Sequence, residues 1–329
     1  MKKITMILLI VLCSFVTLSA QEFSLRPVHT YSIVARDSVT GDLGVAVQSH
    51  WFSVGSVVTW AEAGVGAVAT QSFVEVSYGP LGLELMRAGK TAQQALQALL
   101  AVDPQANVRQ VAMVDIHGNV ATYTGDKCIQ AAGHHVGKQY SAQANLMLKN
   151  TVWDAMAKAY ETAAGDLINR LLAALQAAQQ EGGDIRGKQS AAILVVPGRS
   201  QGAPWREKII DLRVEDHPEP LAELKRLIRV QRAYDHMNKG DEFFAKGDIK
   251  SALAEYSTAR TFYPDNLEII FWQAVTMANT GSVEAALPLF REVFAQDKNW
   301  LELTSRLPQA GQLPSDPDLL QRILQAAKK

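Results

Sequence analysis

Two apolar segments separated by a short polar turn constrain the fold of this chain more than any other feature. Residues 31–36 and 43–49 each have the length and the apolar content of a strand, and residues 37–42 between them are rich in turn-forming types. The pair is therefore predicted to form a β-hairpin. Residues 109–115 and 119–124 have the same organisation and predict a second hairpin. Because the strands of a hairpin pair antiparallel, a doubly wound parallel sheet is excluded.

Further strands are predicted at residues 64–70, 189–196 and 207–214, and helices within residues 80–101 and 151–180. The segment Thr91-Ala-Gln-Gln94 has the form of a helix capping box. The strands nearest the helices carry small apolar residues at successive positions, as in sheets that are covered on both faces. This predicts an α+β fold with two stacked sheets and helices outside them, a four-layer αββα sandwich. A single sheet with helices on one face is the alternative, and periodicity does not separate the two.

The N-terminus has the layout of a secretory signal peptide at residues 1–20. Lys2 and Lys3 precede an apolar run over residues 4–17, and Leu18-Ser19-Ala20 offers small residues at a cleavage site. The run is shorter than the roughly 20 residues that span a bilayer. The mature protein is expected to be exported, periplasmic or secreted, without a stable membrane span. An uncleaved N-terminal anchor is the alternative.

Composition argues against several classes of ligand. Cleavage after Ala20 changes the formal net charge from −1 to −3 and leaves Cys128 as the single cysteine, so no internal disulfide is expected. No basic cluster predicts nucleic-acid binding. His134 and His135 are adjacent, and side chains of successive strand residues point apart, so no metal site is predicted. No cofactor is predicted either, since the glycine-rich segment 64–69 is not followed by a helix start.

The composition changes near residue 215, where polar, Pro-punctuated residues predict a linker after a first domain spanning residues 21–215. Beyond it, residues 233–266 and 267–300 match at a period of 34, with Gly247 aligned to Gly281 and Ala252 to Ala286. This period and its small residues resemble the tetratricopeptide repeat, a helix–turn–helix unit. The predicted tail is all-α. It comprises a linker and capping helix at 216–232, two repeats at 233–300 and a C-terminal capping helix at 301–329. The tail is expected either to bind a protein partner or to be a packing appendage that has no partner.

Residues 30–196 resemble a bacterial family labelled domain of unknown function 1028. Three N-terminal segments carry the resemblance: Thr30-Tyr-Ser-Ile-Val-Ala-Arg-Asp37, Gly41-Asp-Leu-Gly-Val-Ala-Val47 and Trp60-Ala-Glu-Ala-Gly-Val-Gly-Ala-Val-Ala-Thr-Gln71. Three more follow: Tyr78-Gly-Pro-Leu-Gly-Leu83, Gly182-Gly-Asp-Ile-Arg-Gly187 and Gln189-Ser-Ala-Ala192. The family is grouped by fold with the Ntn hydrolases, which are αββα amide hydrolases.

That resemblance implies a catalytic role for Thr30, at the head of the first strand. In Ntn hydrolases the first residue of that strand is the nucleophile, and its own α-amine is the base. Here residues 21–29 precede Thr30 after signal cleavage, so a second cut between His29 and Thr30 is required. Without that cut Thr30 is an ordinary β-branched strand residue. Ser32, on the same strand face, is a weaker substitute.

Other polar residues in the matching segments are expected to assist. Asn145 is the candidate donor to an oxyanion. Asp184 and Arg186 lie in a glycine-rich turn, where a local ion pair is the competing interpretation. The candidate substrate-binding residues are Arg36, Thr70, Gln71, Asp184 and Arg186.

The resulting hypothesis is an exported, cofactor-free amidohydrolase of the Ntn type. Its substrate is expected to be a small amide-containing molecule: a peptide, an N-acyl compound or a cell-wall fragment. The alternative is a non-catalytic exported binding or scaffold protein that acts through the αββα domain and the repeats.

Overall fold

A computed structural model describes residues 30–203 and 205–328. The predicted signal peptide therefore lies outside the described residues. The described strands are β1 (Thr30–Arg36), β2 (Leu43–Ser49), β3 (Thr59–Glu62), β4 (Gly66–Ser72), β5 (Arg109–Asp115), β6 (Val120–Thr124), β7 (Gly133–Gly137), β8 (Tyr140–Ala144), β9 (Ser190–Val196) and β10 (Ile210–Val214).

These strands form two antiparallel sheets. The six-stranded sheet has the order β10-β9-β2-β1-β8-β7, and the four-stranded sheet has the order β3-β4-β5-β6. Both predicted hairpins are present, as β1–β2 and β5–β6. The hairpin of β7 and β8 and the short strand β3 were not predicted from the sequence. Strand β8 pairs with β1, with Tyr31 opposite Ala144, which brings residues more than a hundred positions apart side by side.

The two sheets face each other across an apolar layer. Val34, Val45 and Val47 of the six-stranded sheet belong to one buried cluster with Ala69 and Val114 of the four-stranded sheet. These residues alternate along their strands with residues that face the other way. Complete burial of one such valine contributes about 2 kcal/mol. The alternative of a single sheet is therefore wrong.

Helices cover the outer face of each sheet. On the four-stranded sheet, Tyr78, Leu83 and Leu96 pack with Val68 and Met113. On the six-stranded sheet, a second cluster joins strand residues to three helices. The helices of this part of the chain are α1 (Gly55–Val58), α2 (Tyr78–Arg87), α3 (Ala92–Val102), α4 (Val152–Thr162), α5 (Leu167–Gln180) and α6 (Pro220–Ala245).

Local sequence signals explain several helix boundaries. The capping box predicted at Thr91 and Gln94 is confirmed at the start of α3. Residues 151–180, predicted as one helical region, form two helices, because Asp166 caps a new helix by accepting a hydrogen bond from the Asn169 N–H.

The C-terminal region is entirely helical after β10. It contains α7 (Ile249–Phe262), α8 (Leu267–Asn279), α9 (Val283–Gln296), α10 (Asn299–Arg306) and α11 (Pro317–Gln325). Gly247 and Gly281 stand at the α6–α7 and α8–α9 turns with φ values of 79° and 81°, a conformation that favours glycine. The aligned glycines of the two predicted repeats thus occupy equivalent turns.

The predicted boundary between a capping helix at 216–232 and a first repeat at 233 falls inside a continuous helix, α6. Its first half packs on the six-stranded sheet through Leu224 and Ile228, while Ala233 and Met237 pack in the tail. Arg232 donates to the Asp166 carboxylate over 2.8 Å. A single helix therefore joins the two regions, and nothing in its local sequence breaks it.

The overall class is a mixed α+β fold with two sheets and a C-terminal helical region, as predicted. Within the described residues, none of the helices is both long and apolar enough to cross a membrane.

Candidate functional site

The layer between the sheets changes from apolar to polar at the end where β1 begins. Strand alternation places these polar side chains on the inner face, together with the apolar layer described above. They come from four different strands or strand ends, and each is fully buried: Thr30, Ser32, Gln71, Gln110, Gln143 and Asn145. We call this set the polar cluster. Buried polar groups of this kind persist when they are hydrogen-bonded to one another.

Gln71 connects the two sheets within the polar cluster. Its Nε2 donates to the Thr30 carbonyl oxygen over 3.1 Å and to Gln110 Oε1 over 2.7 Å. Its Oε1 accepts from the Ser32 hydroxyl over 2.6 Å. The Thr30 carbonyl oxygen also accepts from the Asn145 backbone N–H over 3.1 Å. The first residue of β1 is therefore held by donors from β4 and from the end of β8.

Gln110 holds Asn145 from the facing sheet. Asn145 Nδ2 donates to Gln110 Oε1 over 2.9 Å, and Gln110 Nε2 donates to the Ala144 carbonyl oxygen over 3.0 Å. The amide of Asn145 is thus oriented beside Thr30 by a residue that the sequence analysis did not single out. A sequence signal could have identified Gln110. It is a glutamine in a mainly apolar strand, at a position where strand alternation turns the side chain toward the facing sheet.

The polar cluster continues to the surface through Thr124. Gln110 Nε2 also donates to Thr124 Oγ1 over 2.9 Å, and Thr124 Oγ1 lies 2.8 Å from His134 Nδ1. Desolvation lowers the pKa of the His134 imidazole below its ordinary value. His134 is therefore linked to the interior, whereas the adjacent His135 contacts Asp154 instead.

Ser32 has amide partners in this structure. Its hydroxyl donates to Gln71 Oε1 and accepts from Gln143 Nε2 over 3.2 Å. Neither amide can take a proton at neutral pH, so these contacts supply no general base. Gln143 Oε1, in contrast, is buried without a hydrogen-bond partner among the described residues.

Asp184 and Arg186 form a local ion pair, which was the alternative to a role in substrate binding. Arg186 Nε donates to Asp184 Oδ1 over 3.0 Å, and Arg186 Nη2 donates to Asp184 Oδ2 over 2.6 Å. Asp184 Oδ2 also accepts from the His50 backbone N–H over 3.2 Å. Since Ser49, the neighbour of His50, pairs with Thr30, the ion pair lies at the same end of the sheet.

Two predicted binding residues lie away from the polar cluster. Arg36 is at the opposite end of β1, six residues from Thr30, or about 20 Å at strand spacing. Thr70 precedes Gln71, so its side chain points to the outer face of β4, where its hydroxyl donates to the Glu75 carbonyl oxygen over 3.1 Å. Adjacent strand positions face opposite sides of a sheet, so the grouping of Thr70 with Gln71 was wrong.

Exposed apolar side chains surround the Thr30 end of the six-stranded sheet. These side chains come from four segments of the chain. Backbone hydrogen bonds join three of the segments: the N–H of Leu146 donates to the Ile129 carbonyl, and the N–H of Ile185 donates to the Leu146 carbonyl. The fourth segment follows Ser49, which pairs with Thr30. The exposed fractions are 63% for Phe52, 38% for Ile129, 56% for Leu148 and 57% for Ile185. We call these four residues the apolar rim.

Two further kinds of site, a cluster of metal ligands and an activated thiol, were sought among the described residues. Across residues 30–203 and 205–328, no group of three or more His, Cys, Asp or Glu side chains is arranged to hold a metal ion. Cys128 is buried, and its Sγ donates to the Arg109 carbonyl oxygen over 3.3 Å. Burial raises the pKa of the Cys128 thiol, which disfavours the reactive thiolate.

The fold and the site together define the class: an α+β protein with two facing antiparallel sheets and a buried, amide-rich polar cluster at one end of them. The family model described as "Family of unknown function (DUF1028)" matches residues 30–224. This match covers more than half of the chain, and the chain belongs to that family. The matched region extends past residue 215 into α6, which agrees with the packing of the first half of α6 on the six-stranded sheet.

A solved structure supports the same assignment. The crystal structure of protein SPO2555 from Silicibacter pomeroyi, which carries the same family model, matches this chain with a TM-score of 0.55 and 30% sequence identity. The match covers 61% of this chain and 85% of that one. Among curated proteins, none matches the chain.

Proposed function

We propose that this protein is an amidohydrolase of the Ntn type, with Thr30 as its nucleophile. The observation that carries the proposal is the placement of Thr30. It is the first residue of β1, it is buried between the ends of two facing sheets, and its carbonyl oxygen accepts hydrogen bonds from Gln71 and Asn145. The layer order of helix, sheet, sheet and helix is the order of the Ntn hydrolase fold. The support for the class is thus partly analogy of fold.

The chemistry requires a free α-amine at Thr30. A threonine hydroxyl is a poor nucleophile at neutral pH, whereas an α-amine has a pKa near 8 and accepts a proton readily. After a cut between His29 and Thr30, the amine takes the hydroxyl proton and the Thr30 oxygen attacks the substrate carbonyl carbon. The carbon–nitrogen bond then breaks, and the amine returns the proton to the leaving group. Water hydrolyses the resulting ester, which releases a carboxylic acid and restores the hydroxyl.

Asn145 is the proposed oxyanion donor. Its side chain faces the inter-sheet layer beside Thr30, and Gln110 fixes its orientation over 2.9 Å. A donor that is oriented before the reaction pays no reorganisation cost when negative charge develops on the substrate oxygen. One such donor contributes about 3 kcal/mol to transition-state stabilisation. Gln143 Oε1 offers an acceptor for a substrate N–H, since it has no partner in the described part of the chain.

The apolar rim favours two of the three expected substrate classes. Clusters of exposed large apolar residues on a protein surface commonly mark binding sites. Phe52, Leu148 and Ile185 are each more than half exposed and border the end of β1. A substrate with an apolar acyl group or side chain buries these residues, whereas a strongly polar cell-wall fragment does not. We therefore propose N-acyl compounds or apolar peptides as substrates.

Export and the role of the tail belong to the same proposal. Export rests on the signal-like residues 1–20, and the two helical hairpins with glycine turns at Gly247 and Gly281 are consistent with tetratricopeptide repeats. Two repeats flanked by further helices offer a surface for a protein partner.

The first experiment is the N-terminal sequence and intact mass of the protein exported from a bacterial host. A chain that begins at Thr30 has the free amine that the mechanism requires. This protein is then screened against N-acyl amino acids of increasing acyl length. We expect turnover that Thr30→Ala abolishes, that Thr30→Ser retains in part and that the exposed control Thr162→Ala leaves unchanged.

The opposite results would overturn the proposal. A stable, homogeneous chain that begins at Gln21 has no amine base at Thr30. Turnover that persists in Thr30→Ala would assign the activity to another residue. The first result favours the alternative of a non-catalytic exported binding protein, whose partners would be captured with the full chain and lost on deletion of residues 246–329.

A further inference from the structure

A cavity lies at the opposite end of β1 from Thr30. It has a volume of about 200 Å³ and is bordered by the end of β1, the β7–β8 turn and helices α4 and α5. Since pockets for drug-sized ligands span about 300–1,000 Å³, a cavity of this size suits a smaller molecule. The side chains that give the cavity its character are Arg36, Lys138, Arg170, Tyr140, Tyr160 and Glu161.

Positive charge predominates in this cavity. Arg36, Lys138 and Arg170 all line it, against the single carboxylate of Glu161. Glu161 accepts a hydrogen bond from the Tyr140 hydroxyl over 2.8 Å, so this donor already stabilises part of the negative charge of the carboxylate. Asp37 lies behind the lining, 3.7 Å from Arg170. Even with both carboxylates counted, the cationic groups are in excess.

The Arg36 guanidinium is only partly used by the protein. Arg36 Nη1 donates to Gln139 Oε1 over 2.6 Å and lies 3.4 Å from the Asp37 carbonyl oxygen. Arg36 Nε is buried and has no hydrogen-bond partner among the described residues. A buried N–H without an acceptor costs free energy that a bound acceptor recovers.

The second guanidinium is held in place rather than free in solvent. Arg170 Cζ lies 4.1 Å from the centre of the Tyr160 ring, and Arg170 Nε donates to the Tyr160 carbonyl oxygen over 3.1 Å. The contact with Tyr160 stabilises the cation and fixes its plane. Arg36 and Arg170 therefore present two pre-oriented planar groups to one small cavity.

We propose that this cavity binds a small oxyanion, a carboxylate or a phosphate, at a site separate from the polar cluster. Guanidinium groups match the geometry of both anions with paired N–H donors. The ammonium of Lys138, on the exposed β7–β8 turn, adds a third cation at the rim of the cavity. The site stands independently of the proposed hydrolase activity, because Thr30 lies about 20 Å away along β1.

The test is isothermal titration calorimetry of the full chain with inorganic phosphate and, separately, with acetate, each against sodium chloride at equal ionic strength. We expect saturable binding of at least one oxyanion. Arg36→Gln should weaken it about tenfold, the effect of losing one charge-assisted hydrogen bond. Lys138→Ala changes an exposed residue, so it should weaken binding without altering the fold. Lys127→Ala, an exposed control elsewhere on the surface, should leave it unchanged.

Four results would contradict the proposal. Neither anion binds beyond the chloride control, or Lys138→Ala and Arg36→Gln bind like the unmodified protein, or Lys127→Ala weakens binding as much as Lys138→Ala. Binding of phosphate alone or of acetate alone would support the site and identify which oxyanion it prefers. Loss of phosphate binding in the Thr30→Ala variant would place the anion at the polar cluster instead and would also count against it.

Discussion

Gln110 on one sheet is joined by one hydrogen bond to Asn145, at the end of a strand of the facing sheet, and by a second to the residue before Asn145. The Asn145 side-chain amide donates to Gln110 Oε1 over 2.9 Å, and Gln110 Nε2 donates to the carbonyl oxygen of Ala144, the residue before Asn145, over 3.0 Å. Gln110 also accepts from Gln71. Its side chain therefore fixes the relative position of the two sheets at the end where the candidate nucleophile lies.

Replacement of Gln110 should destabilise the protein. Gln110→Ala leaves the buried amides of Gln71 and Asn145 without their shared acceptor, and each unsatisfied buried group costs about 1–3 kcal/mol. We expect a loss of about 3 kcal/mol in the free energy of unfolding, measured by urea denaturation. The matched control is Gln97→Ala on the exposed face of α3, with an expected change within about 0.5 kcal/mol. Equal effects of the two substitutions would show that the buried network contributes little to stability.

Asn145→Ala should reduce kcat in the processed enzyme. If Asn145 stabilises an oxyanion, its loss lowers kcat about 100-fold or more while KM changes little, because the interaction forms mainly in the transition state. Steady-state kinetics on a substrate whose turnover depends on Thr30 give both constants. Asn150→Ala, an exposed neighbour in sequence, is the control. A rise in KM with kcat unchanged would instead assign Asn145 to substrate binding.

The ion pair of Asp103 and Arg109 should make stability depend on acid pH. Arg109 Nε donates to Asp103 Oδ2 over 2.8 Å, and both side chains are largely buried. Burial alone raises the pKa of the Asp103 carboxyl, but hydrogen bonds from Arg109 and from the Gln105 backbone N–H outweigh it and hold that pKa below its ordinary value.

A depressed carboxylate pKa stabilises the folded state above the ordinary pKa near 4, and this stabilisation is lost as the pH falls through the lower, folded-state value. Asp103→Asn should therefore lower the free energy of unfolding by about 3 kcal/mol at neutral pH, since it leaves the buried Arg109 unpaired. The difference from the unmodified protein should shrink below about pH 4. Chemical denaturation at several pH values measures it, with Asp126→Asn as the exposed control. A pH-independent difference would assign the effect to packing.

The close approach of α6 and α7 should be sensitive to the size of residue 240. A Cβ atom added at Gly240 would lie 3.0 Å from Tyr256 Cε1, so a large side chain at this position collides with α7. Gly240→Leu should cost about 1–3 kcal/mol through overpacking. Lys239→Leu, exposed on the same helix, should change stability by less than about 0.5 kcal/mol. Thermal unfolding of both variants makes the comparison, and equal melting temperatures would argue against tight packing of this hairpin.

The sequence identified the elements that depend on neighbouring residues. The β1–β2 and β5–β6 hairpins, the capping box at Thr91 and the paired glycines at Gly247 and Gly281 all follow from local turn chemistry and periodicity. The β7–β8 hairpin was missed because its segments are short and carry glycine and histidine rather than β-branched residues.

The candidate site was predicted only in part, for a related reason. Thr30, Gln71 and Asn145 do meet, but Gln110 and Gln143 were not anticipated, Thr70 faces the other side of β4, and Arg36 stands at the far end of β1. Strand alternation alone would have separated Thr70 from Gln71. No local rule could have paired β1 with β8, because the two strands are about a hundred residues apart in the chain.

The sequence by itself therefore determined the class of the fold, the β1–β2 and β5–β6 hairpins, the helical tail and the position of Thr30 at the head of a strand. These follow from the hydrophobic pattern and from turn residues, which act over a few positions. Tertiary structure alone decided which buried amides surround Thr30, that α6 runs without a break between the two regions, and that three cations converge at the far end of β1. Such contacts are set by sheet register and layer packing, which join residues distant in the chain.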